Sequence, residues 1–425
     1  MAADRTVAPE IRPFAPMSIP DERVEVLPNG LTLHTYSGGD QPVCRLVMLV
    51  PYSAASLPSQ ALPTLLPMMI LAGNRNMTAE EIDDRLDFCG VRPSGKSSPR
   101  YLQFTANMLT GHAAEIFRLL AKTYSQPAFD ANRLEACKTR VAAGILTSRS
   151  QPITLATEKL NQLYYGPDNW KAAVLMPEQV AAVTAADLHK FHSEVFKSSG
   201  IHLYLSGLID EETICYAREA FGAITADGPA QEPSLAPAHP VATPCAAQVA
   251  KPDSFQSAVT IGIPSIGRNH PDYISLRYTV MALGGYFGSR LMSNIREDKG
   301  LTYHISAVLM GEHNESMALV SALCDKSYTE QVVAEISEEL RRLAANPPEG
   351  EELSRLKLHA MTDLAEMLDN PANVMSYYIT QLLVGTPADY FAAQQQALRA
   401  LSSEIISDMA ARYLTPEKMI TVTTV

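Results

Sequence analysis

The sequence predicts an α+β protein with two domains of similar topology, each a sheet with its helices on one face. Three observations predict this fold class. The chain has 425 residues, 46% of them apolar, which is enough for at least two hydrophobic cores. A segment rich in Pro, Ala and small polar residues, 226–248, interrupts the apolar periodicity. The elements predicted before this segment recur in the same order after it, which indicates an internal repeat.

The first predicted domain, residues 1–225, opens with a β-hairpin. Its turn is Asn29-Gly30, a strong hairpin signal between two alternating apolar runs. A buried strand follows, then an apolar helix that ends at Gly73 and a capped helix that ends at Gly90. After the hairpin, the elements are predicted at 44–50, 61–74, 77–90, 101–108, from about 112, 132–148, 151–166, 187–196 and 201–207.

The second predicted domain, residues 249–425, repeats this pattern. Its first helix ends at Gly284 and Gly285 and its second at Gly300, as the first two helices of the other half end at glycines. Its elements are predicted at 257–264, 271–285, 289–300, 317–322, from about 328, 351–368, 370–385, 403–414 and 419–425. The repeat makes 226–248 the predicted linker between two domains.

Charge and composition exclude several classes of function. The 34 Lys and Arg residues against 46 Asp and Glu residues give a net charge of -12, and no stretch is rich in Lys or Arg. We therefore expect neither nucleic acid nor an anionic membrane surface as a partner, because both need positive charge on the protein. Residues 46–74 carry no charge, but their four prolines would leave backbone groups unpaired in lipid, so we predict no membrane span.

The six cysteines and the first residues bear on the cellular location. The cysteines are scattered without paired spacing, which is typical of free thiols in a reducing compartment. This spacing indicates neither a disulfide framework nor a Cys-based zinc site. Residues 1–26 contain no apolar run of the secretory type, so we expect a cytoplasmic protein.

A segment of the second half, 283–307, resembles a family signature. Its sequence, LGGYFGSRLMSNIREDKGLTYHISA, is similar to the second domain of pitrilysin-type (insulinase-like) zinc peptidases, which include mitochondrial processing peptidase. The NGLTLHTY hairpin resembles the opening strands of the same family, and the segment order agrees over nearly the whole chain. The resemblance implies two homologous domains with mainly antiparallel sheets, arranged as a clam-like pair.

The resemblance also implies that the zinc site of this chain is degenerate. Active members of the family hold zinc at an inverted motif, H-x-x-E-H, on the first apolar helix, with the Glu as general base. The matching helix here places Thr64, Pro67 and Met68 where His, Glu and His stand, and Ala143 or Gly144 where a third ligand, a Glu, stands. None of these side chains offers an imidazole or a carboxylate, so we expect no metal and no cofactor in this chain.

Other histidines are weaker candidates for metal ligands. His189 and His192 lie three residues apart on a predicted helix, with Glu194 nearby, and superficially look like a ligand pair. A surface or half-buried helix is the favoured interpretation, because no third ligand converges there. We interpret His304 as a strand side chain. The sequence contains no H-x-x-E-H or H-E-x-x-H motif, which excludes a relocated site of that type.

The resemblance assigns two residues of the second domain to substrate binding. In catalytic assemblies of the family, an Arg and a Tyr seven residues apart reach across the cleft to the substrate, and the matching residues are Arg296 and Tyr303. We expect Arg296 in the last turn of the helix that ends at Gly300 and Tyr303 at the start of the next strand. The guanidinium and the phenol can both donate hydrogen bonds to a peptide carbonyl and to the oxyanion that develops on it. Alternatively, Arg296 pairs with Glu297 or Asp298 and Tyr303 packs as a strand aromatic.

A chain with this pattern resembles the non-catalytic, substrate-binding subunit of a heterodimeric zinc peptidase. The implied partner is a homologous subunit that carries H-x-x-E-H and the zinc. The implied substrates are unfolded peptides, bound as an extra strand on a sheet edge. We expect no activity from the chain alone, and whether the isolated chain forms a homodimer stays open. The alternative is a scaffolding homologue with no role in proteolysis; an autonomous peptidase with another metal site is the least favoured.

Overall fold

The computed structural model of the chain describes residues 6, 15–225, 228–229, 241–311 and 313–425. These residues form two β-sheets with helices packed against both, which confirms the predicted α+β class. Within these ranges, no helix is long and apolar enough to cross a membrane.

The first half of the chain contributes a six-stranded sheet. Its strands are β1 (Arg23–Val26), β2 (Thr32–Ser37), β3 (Val43–Pro51), β4 (Ser94–Ser97), β5 (Tyr101–Leu109) and β6 (His202–Gly207). They lie in the order β1-β2-β6-β3-β5-β4, and neighbours are antiparallel except for the parallel pair β2 and β6. The strands β1 and β4 are therefore the two edges of this sheet.

The second half contributes a five-stranded sheet. Its strands are β7 (Cys245–Val249), β8 (Gln256–Ile266), β9 (Thr302–Gly311), β10 (Glu315–Asp325) and β11 (Ile420–Thr424). They lie in the order β7-β11-β8-β10-β9, and only β7 and β11 are parallel. This order and these directions repeat those of β2, β6, β3, β5 and β4, so the internal repeat predicted from the sequence is present in the two sheets.

The predicted linker, 226–248, ends inside a strand. Residues 226–227 and 230–240 lie outside the described residues. Cys245 to Gln248 belong to β7, because their backbone pairs in parallel with β11 along the register Cys245↔Ile420 to Val249↔Thr424. This part of the prediction was wrong: a run of small residues can form a strand when a neighbouring strand supplies the hydrogen bonds, and β7 is the counterpart of β2.

Most of the predicted helices lie near their predicted positions. Thr78 and Glu81 form a reciprocal capping box at the start of α2, and Gly90, with φ +66°, follows its end. The helices of the first half are α1 (Ala61–Met69), α2 (Ala79–Phe88), α3 (Ala113–Ser125), α4 (Ala131–Arg149), α5 (Pro152–Tyr165), α6 (Pro177–Ala181), α7 (Ala185–Val195) and α8 (Glu211–Gly222). Those of the second half are α9 (Tyr273–Val280), α10 (Thr329–Ala345), α11 (Gly350–Glu366), α12 (Pro371–Val384), α13 (Tyr390–Ala400) and α14 (Ser403–Tyr413). However, α1 ends earlier than predicted, and three further helices were not predicted: α6, α8 and α13.

Two helices cross between the halves. α5 belongs to the first half but packs on the second sheet, where Leu160 and Tyr164 lie against β8 and β11 and the Tyr164 hydroxyl donates to the carbonyl of Ser316 at 2.9 Å. α12 belongs to the second half but packs on the first sheet, where Met375 and Ile379 are buried. Each half otherwise packs its helices on one face of its own sheet, as predicted, and the sequence did not reveal that a helix of the other half covers the opposite face.

The strands themselves explain why both faces of a sheet are covered. β3 is buried along nearly its whole length, with Leu46 and Met48 in the core of the first half and Val47 and Leu49 in the cluster under α12. A strand that is apolar on both faces needs a layer on each side, since a single exposed apolar face would remain in water. Each half supplies one helix to the other, which joins the two sheets.

Candidate functional site

The resemblance matches α1 to the zinc-binding helix of active homologues, and the three α1 side chains at the expected ligand positions contact only other parts of this chain. Thr64 donates its hydroxyl to the carbonyl of Gln60 at 2.7 Å, so it closes a local helical bond. Pro67 is buried inside α1. The sulfur of Met68 lies 3.8 Å from the sulfur of Cys137 on α4. These contacts are apolar or local, and none presents an anionic or imidazole ligand to a metal.

The position of the family's third ligand is open to solvent. Ala143 and Gly144 are exposed on α4, and a Cβ added at Gly144 would meet nothing within 4 Å. Cys137 lies two helical turns before Gly144 and is the α4 residue that contacts Met68. Burial raises the pKa of the Cys137 thiol.

The histidine pair on α7 has a structural role. His192 is buried, its Nε2 lies 2.8 Å from the carbonyl oxygen of Tyr124, and its ring stacks on Phe196 at a centroid distance of 4.8 Å. Burial lowers the pKa of His192 to about 4. His189 is exposed, and its ring meets the edge of Phe129 at 4.7 Å. The two rings pack against aromatic neighbours and one of them makes a hydrogen bond, which agrees with the interpretation of α7 as a surface or half-buried helix.

Arg296 and Tyr303 lie together in the second half, as their spacing predicts. The guanidinium carbon of Arg296 is 5.6 Å from the ring centroid of Tyr303 and 5.1 Å from that of Phe287. The cation is therefore held by two aromatic rings, an arrangement worth roughly 0.5–1 kcal/mol at an exposed site. Tyr303 is 85% exposed and Phe287 is 65% exposed, so this three-residue group faces solvent. We call Phe287, Arg296 and Tyr303 the Arg–aromatic group.

Two backbone irregularities place the Arg–aromatic group. Arg296 lies in a π-helical turn, Met292–Asp298, which ends before Gly300 at φ +61°. Tyr303 is an extra residue at a β-bulge, because Leu323 pairs with His304 and the next residue of β10 pairs with Thr302. Both irregularities re-aim a side chain and are common at functional sites. The sequence showed the spacing of Arg and Tyr but not the bulge or the contribution of Phe287.

The charges around Arg296 leave its guanidinium available. Glu297 and Asp298 are exposed, and within the described ranges no carboxylate forms an ion pair with Arg296. The same turn is fixed to α10 by other residues: Asn294 donates to Glu339 at 2.8 Å, and Lys299 pairs with Glu335. The alternative left open by the sequence was that Arg296 pairs with Glu297 or Asp298, and the described residues show no such pair.

A cavity of about 600 Å³ lies between the two halves. Ser97 of the edge strand β4 and Gln60 before α1 line one side, and Leu309 and Met310 of the edge strand β9 line the other. Lys171 also lines the cavity, and its ammonium pairs with Glu315 at 2.9 Å. An edge strand of each sheet thus borders the same space. β4 was not predicted, because the sequence SGKS has no apolar alternation.

Part of the chain matches a known family. Residues 182–358 match the family described as Peptidase M16 inactive domain. The chain is 23% identical over 309 residues to the uncharacterized zinc protease YmxG of Bacillus subtilis (strain 168), which covers 72% of this chain and 74% of that protein. It is 26% identical over 247 residues to the non-peptidase homolog YmxG of Helicobacter pylori (strain ATCC 700392 / 26695), covering 57% of this chain and 56% of that protein.

Solved structures share the fold over almost the whole length. The crystal structure of a peptidase M16 inactive domain from Pseudomonas fluorescens superposes with a TM-score of 0.85 at 19% identity, covering 95% of this chain and 98% of that chain. A protease from Helicobacter pylori superposes with a TM-score of 0.84 at 17% identity, covering 96% of this chain and 100% of that chain. At these identities the likeness shows a common fold.

Proposed function

Because this chain belongs to the M16 peptidase family and matches its inactive type of domain, we propose that it is the non-catalytic, substrate-binding subunit of a heterodimeric zinc peptidase. A homologous subunit with H-x-x-E-H supplies the zinc and the general base. This chain supplies Arg296 and Tyr303, and the substrates are unfolded peptides. The cysteines, scattered without paired spacing, favour a cytoplasmic location for the pair.

The proposal rests on the contacts and the solvent exposure of the Arg–aromatic group. Arg296 is held by two aromatic rings, and within the described ranges it forms no ion pair with a carboxylate, so its guanidinium is not committed to a neighbouring charge. Tyr303, pushed out by the bulge, places a phenol beside it. Two donors held in this way can bind a peptide carbonyl and stabilise the oxyanion that forms when a partner's zinc-bound water attacks.

Two of the sheet edges, β4 and β9, are suited to binding the peptide main chain. An extended peptide adds to an edge strand through backbone hydrogen bonds, which tolerates many sequences. Among the described strands, β4 and β9 are edges, and both border the cavity between the halves. β9 also carries Tyr303 at its start, so one strand joins the peptide-binding edge to the Arg–aromatic group.

Kinetics on the reconstituted heterodimer test the proposal. The chain is mixed with its zinc-bearing homologue, a fluorogenic peptide is hydrolysed, and complex formation is checked by size-exclusion chromatography. We expect Arg296→Ala to lower kcat/KM by about a hundredfold, because a lost oxyanion donor costs roughly 3 kcal/mol. Tyr303→Phe removes only the hydroxyl and is also expected to lower kcat/KM.

Matched variants control for general surface effects. Arg341 is an exposed arginine with a surface partner, Glu338, at 3.6 Å, and Tyr328 is an exposed tyrosine; Arg341→Ala and Tyr328→Phe should leave the rate unchanged. Wild-type rates from both Arg296→Ala and Tyr303→Phe, in an intact complex, would favour the scaffolding alternative.

A further inference from the structure

Three metal-ligating side chains converge in the first half, outside α1 and outside the Arg–aromatic group. Cys89, His112 and Glu115 each offer one ligand atom, and the three atoms all lie within 4.8 Å of one another. In the part of the chain that the structure describes, no other group of His, Cys, Asp and Glu residues converges in this way. The sequence did not reveal the cluster, because its cysteine has no second cysteine at a zinc-binding spacing.

The ends of two helices position these ligands. Cys89 is buried directly after α2, its N–H donates to the carbonyl of Arg85 at 3.2 Å, and Gly90 turns the chain immediately afterwards. His112 precedes the first residue of α3 and Glu115 lies in its first turn. A spacing of three residues at the start of a helix places the imidazole and the carboxylate on one face. The thiol of one helix end therefore faces a His-Glu pair on the next helix.

The ligand types and their distances suit zinc. Thiolate, imidazole and carboxylate are the three side-chain ligands that Zn²⁺ takes in proteins. Bonds of about 2.0–2.3 Å in a tetrahedron put ligand atoms about 3.3–3.8 Å apart. Atoms already within 4.8 Å reach this separation through small side-chain rotations. His112 is half-buried, and within the described ranges its ring makes no hydrogen bond that a metal would have to break.

Glu115 can serve as a ligand while keeping its present partner. Its Oε1 accepts from Nη1 of Arg85 at 3.1 Å. A carboxylate has two oxygens, and ligating carboxylates are commonly oriented by an outer hydrogen bond of this kind. α2 also carries five carboxylates against the single cation Arg85, which makes the local field attractive to cations.

We propose that Cys89, His112 and Glu115 bind a zinc ion, with water in the fourth position, and that this ion clamps the end of α2 to the start of α3. The site is separate from the degenerate zinc site on α1, and the proposal departs from the sequence-based expectation that this chain holds no metal. It does not depend on the proposed function, because its ligands lie on neither the Arg–aromatic group nor the two sheet edges.

Cobalt and zinc binding to the full chain test the site. The protein is stripped with a chelator and titrated with Co²⁺, which gives a charge-transfer band in the near ultraviolet when a thiolate is a ligand. We expect one equivalent to produce this band and Zn²⁺ to displace it. Zn²⁺ should also raise the Tm, because a ligand that binds only the folded state stabilises it. Cys89→Ser should abolish the cobalt band and, like His112→Gln, weaken zinc binding at least tenfold.

A second thiol provides the matched control. Cys215 is exposed on α8 with its sulfur 3.8 Å from Oε1 of Glu219, a thiol beside a carboxylate without a histidine. Cys215→Ser should bind cobalt and zinc like the wild type. Circular dichroism of the metal-free variants checks that each is folded. The proposal is overturned if the wild type gives no thiolate band, or if folded Cys89→Ser and His112→Gln bind zinc as tightly as the wild type.

Discussion

Gly95 of β4 lies directly against Pro67 of α1. A Cβ added at Gly95 would stand 2.7 Å from the Cβ of Pro67 and 2.9 Å from its carbonyl oxygen. Position 67 is where the resemblance places the catalytic Glu of active homologues, and here it is buried under an edge strand. In this chain α1 therefore packs against β4, one of the two edge strands that border the cavity between the halves.

Gly95→Ala should destabilise the protein through this contact. Neither Pro67 nor its backbone can move away without shifting α1, so we expect a loss of about 1–3 kcal/mol in the free energy of unfolding, as for other overpacked sites. Urea unfolding followed by circular dichroism measures it. Gly144→Ala is the control, because it adds the same methyl group in open space on a helix and should stabilise by about 0.5–1 kcal/mol. Equal effects of the two changes would contradict the tight contact.

Restoring the zinc motif on α1 should not restore the catalytic zinc site. We expect the triple change Thr64→His, Pro67→Glu and Met68→His to lack tight zinc binding, because the third carboxylate near Gly144 and an ordered outer shell remain absent. The measurement is elemental analysis after dialysis, made on a Cys89→Ser background so that the site proposed on α2 and α3 does not contribute. About one zinc per chain in that background would show the prediction to be wrong.

The buried imidazole of His192 should make the protein less stable in mild acid. Its pKa is lowered to about 4 in the folded state from an ordinary 6.5, so the unfolded chain binds the proton more readily. The stabilising contribution is complete above pH 6.5 and is lost as the pH falls towards 4, by an amount on the order of 3 kcal/mol. Burial also lowers the pKa of His202 to about 4, so His202 should likewise make the protein less stable in mild acid.

His192→Gln separates this effect from general acid unfolding. Glutamine does not titrate and can still donate to the carbonyl of Tyr124, so stability at neutral pH should be nearly retained. Unfolding free energies measured from pH 7.5 to pH 4.5 should fall less steeply in the variant than in the wild type. Identical slopes would mean that His192 does not contribute to the pH dependence.

Leu160→Ala should loosen the second sheet although Leu160 belongs to the first half. Leu160 is fully buried over β8, where its methyl carbons lie close to Gly262. The expected loss in the free energy of unfolding is about 2–5 kcal/mol. Hydrogen exchange should rise in β8 and β11 before it rises in β3. Faster exchange in β3 alone would contradict the crossing of α5.

Limited proteolysis should cut first within 226–244. Connectors rich in Pro and Ala make few protecting contacts, whereas Cys245 to Val249 pair with β11. Mass spectrometry of the first fragments identifies the cut. Early cleavage within 78–90, which α2 covers, would contradict the predicted domain boundary.

The sequence by itself determined the local elements and their repetition. Asn29-Gly30 predicted the opening hairpin, and the segment 77–90 predicted a capped helix that ends at Gly90, because turns and caps depend on a few neighbouring residues. The spacing of Arg296 and Tyr303, at a helix end and a strand start, likewise placed both side chains at one spot. These features need only contacts between residues close in sequence.

Only the tertiary structure decided which elements meet. The crossing of α5 and α12 depends on sheets that are apolar on both faces, and the sequence does not say which helix covers which face. β7 exists because β11, far along the chain, supplies its hydrogen bonds. The bulge that exposes Tyr303 and the convergence of Cys89 with His112 and Glu115 arise in the same way. In each case, chain segments distant in sequence fix a position that no local residue pattern encodes.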